Sequence, residues 1–206
     1  MSAPVLQLVN LHKRFGGQPV LRGVNLDVRR GEIHGLMGAS GAGKSVLIRI
    51  AAGLIRPDEG EVRFKGDPLA PGSPLEAAAQ GIAVVHQRPE VFSGLSTAEN
   101  MLLGEGLVQV PGGLIHWNAT YHKAQALLAD MGGDFDAGEP GGRLSPAQRI
   151  VAAAAMATAR EPAVVFIDGV TPALTPDTSA RLFERLRALR QDGAAIVVAA
   201  SRSCAA

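Results

Sequence analysis

The chain has 206 residues, of which 47% are hydrophobic, and 20 basic against 19 acidic side chains leave a net charge of +1. A chain of this length buries about 70% of the surface that it exposes when unfolded, so it forms a core without a disulfide or structural metal. The near-neutral charge excludes the broad basic surface of a nucleic-acid-binding protein. No apolar run reaches the ~18 residues of a membrane span. Since residues 1–10 carry no secretory signal, the expected location is the cytoplasm.

Hydrophobic periodicity and turn residues predict strands that alternate with helices. A hairpin-like pair of strands opens the chain, and a short apolar strand then leads directly into a glycine-rich loop and a helix. This alternation favours a mainly parallel sheet with helices on both faces. The predicted strands are 5–9, 20–28, 33–37, 61–65, 82–86, 164–167 and 194–200, the predicted helices are 44–53, 96–103, 118–131, 145–160 and 177–192, and 66–74 is a predicted loop.

Residues 38–45 fit the pattern G-x-x-x-x-G-K-[ST] of a phosphate-binding loop. Glycines let the backbone approach phosphate groups, and the helix that follows directs its positive end toward them. Lys44 is expected to reach the β- and γ-phosphates, and Ser45 to ligate Mg²⁺. Roughly 0.004 accidental matches are expected in a chain of this composition, so an ordinary glycine-rich turn is the weaker interpretation. The predicted phosphate-binding residues are Gly38, Ser40, Gly41, Ala42, Gly43, Lys44, Ser45 and Val46.

A second motif is the apolar strand 164–167, which ends at Asp168. Open α/β sheets bind ligands at the carboxyl ends of their strands, so this carboxylate is expected to hold Mg²⁺, directly or through water. Apolar strands often end in aspartate for other reasons. The phosphate loop upstream favours the metal-binding interpretation.

These two motifs and several others resemble the nucleotide-binding domains of ATP-binding cassette (ABC) transporters, in particular the sugar-import type and the first half of its tandem ATPases. The resemblance runs from about Leu6 to Arg202. It implies an α/β P-loop NTPase fold with a mainly parallel sheet, a small antiparallel β subdomain and a helical subdomain at about 88–160, within a single domain that spans 1–206. The further segments that carry it are Phe15 with 20–33, 85–87, 95–104, 144–148 and 171–175.

The resemblance gives a role to three further residues. By this resemblance, Phe15 is expected to stack on adenine, Gln87 to ligate Mg²⁺ and sense the membrane subunit, and Ser145 to open a helix that contacts the γ-phosphate bound by a facing subunit. Each has a simpler alternative: Phe15 as a loop aromatic, Gln87 as a polar residue at a strand end, and Ser145 as a helix N-cap. The two roles of Ser145 are compatible, because the helix end that it caps is positive.

The resemblance also implies the ligands and partners. ATP and Mg²⁺ are the expected ligands, with Ser45, Gln87 and Asp168 as the metal-binding residues and Gln87 and Asp168 as the catalytic ones. The expected partners are a second nucleotide-binding domain, in a homo- or heterodimer, and a transmembrane permease at the inner face of the membrane. No nucleic acid is expected. The transported substrate is chosen by other subunits, so this sequence does not reveal it.

Two of the departures from the family pattern bear most directly on hydrolysis. The family has a glutamate that polarises the attacking water where this chain has Gly169, and a histidine that contacts the γ-phosphate where it has Arg202. A positioned general base contributes about 10²- to 10⁴-fold in rate, so hydrolysis is expected to be weak or absent while ATP binding survives. Two alternatives stay open: a competent transporter ATPase whose base is His86 or Asp177, and a non-transport, ATP-gated regulatory cassette.

The family's structure continues beyond the last strand predicted here, so we expect the chain to be truncated at its C-terminus. A fragment, a truncated gene product and a divergent half of a tandem protein all fit this expectation.

Overall fold

The computed structural model describes residues 3–103, 107–170 and 173–201. The chain divides into two compact units. The first draws its described residues from Met1–Val84, Glu161–Gly169 and Leu186–Ala206, and the second from Val85–Arg160 and Val170–Arg185.

An antiparallel sheet in the first unit contains the predicted opening hairpin. Its strands, in the spatial order β2-β1-β4-β5, are β1 (Pro4–Phe15), β2 (Gln18–Arg29), β4 (Glu59–Phe64) and β5 (Asp67–Pro68). The hairpin turns at Gly16 and Gly17, both with positive φ, as a two-residue turn that matches the twist of its strands requires. β5 lies within the stretch 66–74 that was predicted as a loop. A similar turn, with positive φ at Lys65 and Gly66, folds β5 back onto β4.

A second sheet in the same unit has the order β3-β8-β7-β6. β8 pairs in parallel with β3 on one side and with β7 on the other. The carboxyl ends of β3 and β7 therefore lie at the same edge of the sheet, on either side of β8. The strands are β3 (Ile33–Gly38), β6 (Ile82–Val85), β7 (Val164–Asp168) and β8 (Ala195–Ser201).

The helices agree with the predicted ones to within one or two residues at most ends. The exception is α2, which the periodicity did not predict because it is short and alanine-rich. α1 lies against β3 and β7 in the first unit, whereas α3, α4 and α5 pack on one another in the second. The helices are α1 (Lys44–Ala51), α2 (Pro74–Ala79), α3 (Thr97–Leu102), α4 (Trp117–Asp130), α5 (Pro146–Ala159) and α6 (Pro176–Gln191), with a 3₁₀ turn at Gly141–Arg143.

The core of the first unit joins both sheets to α1. Burying such a side chain contributes roughly 1.5–3 kcal/mol, so the helix that follows the glycine-rich loop is firmly attached to the core of this unit. The largest fully buried side chains of this core are Leu6, Leu8, Leu11, Ile48, Ile50 and Phe166. Parallel pairs, an antiparallel sheet and helices together confirm the predicted α/β class, although the antiparallel sheet also has four strands. In the part of the chain that the structure describes, no helix has both the length and the hydropathy of a membrane span.

Candidate functional site

The glycine-rich loop joins the end of β3 at Gly38 to the start of α1 at Lys44. Gly41 and Gly43 have φ of +80° and +88°, a conformation that side chains disfavour. Gly43 has a second constraint, because a Cβ atom there would lie 3.0 Å from Leu21 Cδ2 and 3.1 Å from Val20 Cγ1. The loop thus packs directly against β2, and only glycine fits at position 43 without a shift.

Lys44 folds back over the loop. Its Nζ donates hydrogen bonds to the carbonyl oxygens of Gly38 and Ala39, each at 2.8 Å. No described side chain caps the helix at Gly43, and the first N–H groups of a helix have no partners within it. These donors, the positive helix end and the ammonium group together suit a bound phosphate chain.

Ser45 and Asp168 meet beside the loop although 123 positions separate them in the sequence. Ser45 Oγ donates a hydrogen bond of 3.1 Å to Asp168 Oδ1, and Asp168 is only 8% exposed. Mg²⁺ prefers such hard oxygen donors, typically one or two carboxylates completed by phosphate oxygens and water. Among the described residues, no group of three or more His, Cys, Asp or Glu side chains could hold a metal ion. A serine hydroxyl and one carboxylate are a donor set that suits Mg²⁺ whose other ligands come from a phosphorylated ligand and water.

Phe15 ends β1, at the tip of the first hairpin, and is 47% exposed. The same hairpin contacts the loop through Val20 and Leu21 of β2. Phe15, Lys44, Ser45 and Asp168 thus all belong to the first unit, where Ser45 and Asp168 are in direct contact.

Gln87 and Ser145 belong to the second unit, and their ligand-binding roles stay predictions. Gln87 is exposed in a bend that follows β6. Ser145 caps α5, because its Oγ accepts a hydrogen bond from Gln148 N–H at 3.3 Å and Gln148 Oε1 accepts one from Ser145 N–H at 2.8 Å. The simpler role considered for Ser145 is thus present. Of the other predicted positions, Gly104, Thr171, Pro172 and Arg202 lie outside the described residues.

Gly169, the position where the family pattern has a general base, follows β7 with a φ of +63°. Its N–H donates a hydrogen bond of 3.2 Å to Ala199 O in β8. A left-handed conformation costs a residue with a side chain roughly 1–2 kcal/mol. A glutamate placed at this position would therefore meet a backbone conformation that disfavours a side chain, which the sequence did not reveal.

The sheet, the loop and the Ser45–Asp168 pair define a P-loop NTPase, and solved structures of this class agree. An ATP-binding cassette solved as a dimer in a post-hydrolysis state with ADP and Pi has a TM-score of 0.80 and 27% identity, covering 94% of this chain and 87% of that one. An ATP-binding subunit of an ABC transporter has a TM-score of 0.79 and 25% identity, covering 96% of this chain and 80% of that one. The predicted fold class is confirmed.

The sequence pattern of the ABC transporter family matches residues 21–172, and the chain belongs to this family. It is 39% identical over 201 residues to the ribose import ATP-binding protein RbsA 2 of Rubrobacter xylanophilus, with 98% of this chain covered. It is 40% identical over 201 residues to the ribose import ATP-binding protein RbsA 1 of Streptomyces coelicolor, again with 98% covered. The chain spans about 39% and 40% of the lengths of these two relatives. The predicted family is thus confirmed.

Proposed function

We propose that this chain is the ATP-binding part of a sugar-import ABC transporter and that it binds Mg·ATP at residues 38–45. The observation that carries this proposal is the Ser45–Asp168 pair beside Lys44, a lysine and two oxygen ligands held at one sheet edge. Ribose as the transported sugar is supported by the names of relatives that are 35–40% identical.

Each residue of the site contributes a distinct interaction with the nucleotide. When ATP binds, Lys44 exchanges its two carbonyl partners for oxygen atoms of the β- and γ-phosphates, so the ammonium group keeps its hydrogen bonds. The N–H groups of 41–46 donate to the phosphates. Ser45 and Asp168 hold Mg²⁺, which neutralises phosphate charge when bound. Gln87 is proposed as a further ligand of this ion, and Phe15 as the surface on which adenine stacks.

The partners follow from the same proposal. Both units form one nucleotide-binding domain, with the second unit as its helical subdomain, and this domain pairs with a second one. The Ser145 end of α5 then faces the γ-phosphate bound by that second domain, since its capped N-terminus is positive. A related bacterial ABC transporter cassette has a dimeric structure. We place the domain on the cytoplasmic face of the membrane, beside a permease.

Hydrolysis at this site is proposed to be weak. Gly169 supplies no carboxylate, and the loss of a positioned base accounts for about 10²- to 10⁴-fold in rate. His86 and Asp177, the other candidate bases, both belong to the second unit. Asp177 is exposed and accepts a hydrogen bond from Arg181 Nε at 3.3 Å, which favours a surface role for it. Rapid ATP turnover by the unmodified chain would refute the proposal of a weakened site.

Calorimetric titration of the chain with ATP, with and without Mg²⁺, tests the binding proposal. Lys44→Ala is expected to lower ATP affinity at least tenfold, since charge-assisted hydrogen bonds contribute about 1.5–3 kcal/mol each. Asp168→Asn should remove the gain in affinity that Mg²⁺ gives while leaving metal-free binding largely unchanged. Lys65→Ala, at an exposed lysine of the β4–β5 turn, is the matched control. Equal affinities for Lys44→Ala and the control would refute ATP binding at this loop.

A further inference from the structure

Asp58 is attached to the end of β1 by both of its carboxylate oxygens. Oδ1 accepts a hydrogen bond from Lys13 Nζ and Oδ2 accepts one from Arg14 N–H, each at 2.7 Å. The N–H of Asp58 donates to His12 O at 2.9 Å. His12, Lys13 and Arg14, the three residues immediately before Phe15, are thus all hydrogen-bonded to Asp58 in the segment that follows α1.

Lys13 connects this carboxylate to an aromatic ring. Its Nζ lies 5.6 Å from the centroid of Phe15 while it pairs with Asp58, within the range of a cation–π interaction. The side chain of Lys13 is only 15% exposed, whereas Phe15 is 47% exposed. The ammonium group therefore lies over one part of the ring, and much of the remaining ring surface is accessible to a ligand.

Arg14 fixes the turn that follows. Its Nε donates a hydrogen bond of 3.3 Å to Gly17 O, and Phe15 pairs with Gln18 across the hairpin. The two glycines beside Phe15 would otherwise give the tip of the hairpin wide conformational freedom. The backbone that carries the Phe15 ring is thus held on both sides.

These contacts are linked to the phosphate-binding loop through β2. Lys13 pairs with Leu21 in the register of β1 and β2, and Leu21 packs against Gly43. The ring of Phe15 and the loop therefore belong to one connected set of contacts within the first unit.

We propose that Asp58 and Lys13 are positioning residues for the nucleobase, because they hold the Phe15 ring in the orientation on which adenine stacks. The inference rests on the proposed function, ATP binding at 38–45 with adenine stacked on Phe15. Lys13 makes two contributions. It restricts the motion of an exposed aromatic ring, and its positive charge draws electron density from one face of the ring, which reduces repulsion between the other face and an electron-rich purine.

The charge on Asp58 persists at neutral pH. The hydrogen bond from Lys13, followed by that from the N–H of Arg14, lowers the pKa of Asp58 below its ordinary value. Lys13 therefore has a permanently charged partner under the conditions in which ATP is bound.

The test compares a ligand that has a base with one that lacks it. The purified chain and its variants are titrated with Mg·ATP and with the magnesium salt of inorganic triphosphate. Asp58→Asn and Lys13→Gln are expected to bind ATP about three- to tenfold more weakly, the cost of ordering one free side chain, and to bind triphosphate within twofold of the unmodified chain. Lys13→Arg should recover most of the loss. Asp67→Asn, at an exposed aspartate of β5, is the matched control.

A double-mutant cycle separates a role at the base from a general structural role. If Asp58 acts through Phe15, then Asp58→Asn should weaken ATP binding no further once Phe15→Ala is present. Thermal unfolding midpoints of all variants show whether the fold is retained.

The outcomes distinguish this inference from the function on which it rests. ATP affinities of Asp58→Asn and Lys13→Gln equal to that of Asp67→Asn would overturn the positioning role, while loss of binding in Lys44→Ala would leave the proposed function standing. Equal weakening of ATP and triphosphate would also overturn it, because Asp58 would then act on the loop and not on the base. No binding of ATP by the unmodified chain would overturn both.

Discussion

Gly43→Ala tests whether the phosphate-binding loop depends on its contact with β2. Gly43 has a φ of +88°, and a left-handed conformation costs an alanine roughly 1–2 kcal/mol. The new Cβ would also lie 3.0 Å from Leu21 Cδ2 and 3.2 Å from the carbonyl oxygen of Val20. Because the second of these atoms is backbone, it cannot move away by a side-chain rotation. Such overpacking adds about 1–3 kcal/mol, so the total loss of unfolding free energy is about 2–5 kcal/mol.

Gly41→Ala is a control in the same loop. Its φ is +80°, but no described atom lies within 4 Å of the position that a Cβ would take. The substitution therefore carries the conformational cost alone, roughly 1–2 kcal/mol. The difference between the two variants isolates the packing of the loop against β2.

Urea unfolding of the chain, followed by circular dichroism, measures both losses as shifts of the midpoint at constant slope. ATP titration of the same variants should show the greater loss of affinity for Gly43→Ala, because its alanine displaces either β2 or the loop. If the two variants lose the same unfolding free energy, a Cβ at position 43 carries no packing cost against β2 and the reasoning is wrong.

Further predictions concern the start of α3 and Gly169. Ser96 and Glu99 form a capping box at the start of α3, so Ser96→Ala should cost about 1 kcal/mol of unfolding free energy. The hydrogen bonds from the hydroxyl and then the N–H of Ser96 lower the pKa of Glu99. The stabilisation is therefore present above the ordinary pKa of a glutamate and is lost as the pH falls through the lowered value, so urea midpoints of the two proteins should converge on acidification. Gly169→Ala and Gly169→Glu should each lose roughly 1–2 kcal/mol. Gly169→Glu should raise the rate of ATP hydrolysis by less than the 10²- to 10⁴-fold that a positioned base supplies. A phosphate-release assay measures this rate, and a gain of the full size would contradict a constraint from the backbone.

The parts of the site that the sequence predicted have local causes or follow from a general rule of sheet topology. The spacing of Gly38, Gly43 and Lys44 is sufficient to predict a loop and the start of a helix. The meeting of Ser45 and Asp168 follows from a general property of open α/β sheets, whose strands present ligands at their carboxyl ends.

The contacts that the sequence could not predict depend on packing between distant segments. Asp58 lies in a polar turn whose composition explains it equally well as a surface residue, and only the folded hairpin brings Lys13 to it. The second constraint on Gly43 arises from the side chains of Val20 and Leu21, which no periodicity links to the loop. Similarly, Gly169 combines a positive φ with a hydrogen bond to Ala199, which is distant in the sequence and lies in a neighbouring strand.

The left-handed conformation of Gly169 also bears on any attempt to place a carboxylate base at this position. Here the replacement side chain would enter a conformation suited to glycine, anchored by a hydrogen bond to Ala199. A single change to glutamate therefore carries a conformational cost of roughly 1–2 kcal/mol. A designer who wishes to place a base here would adjust the backbone at the end of β7 together with the residue.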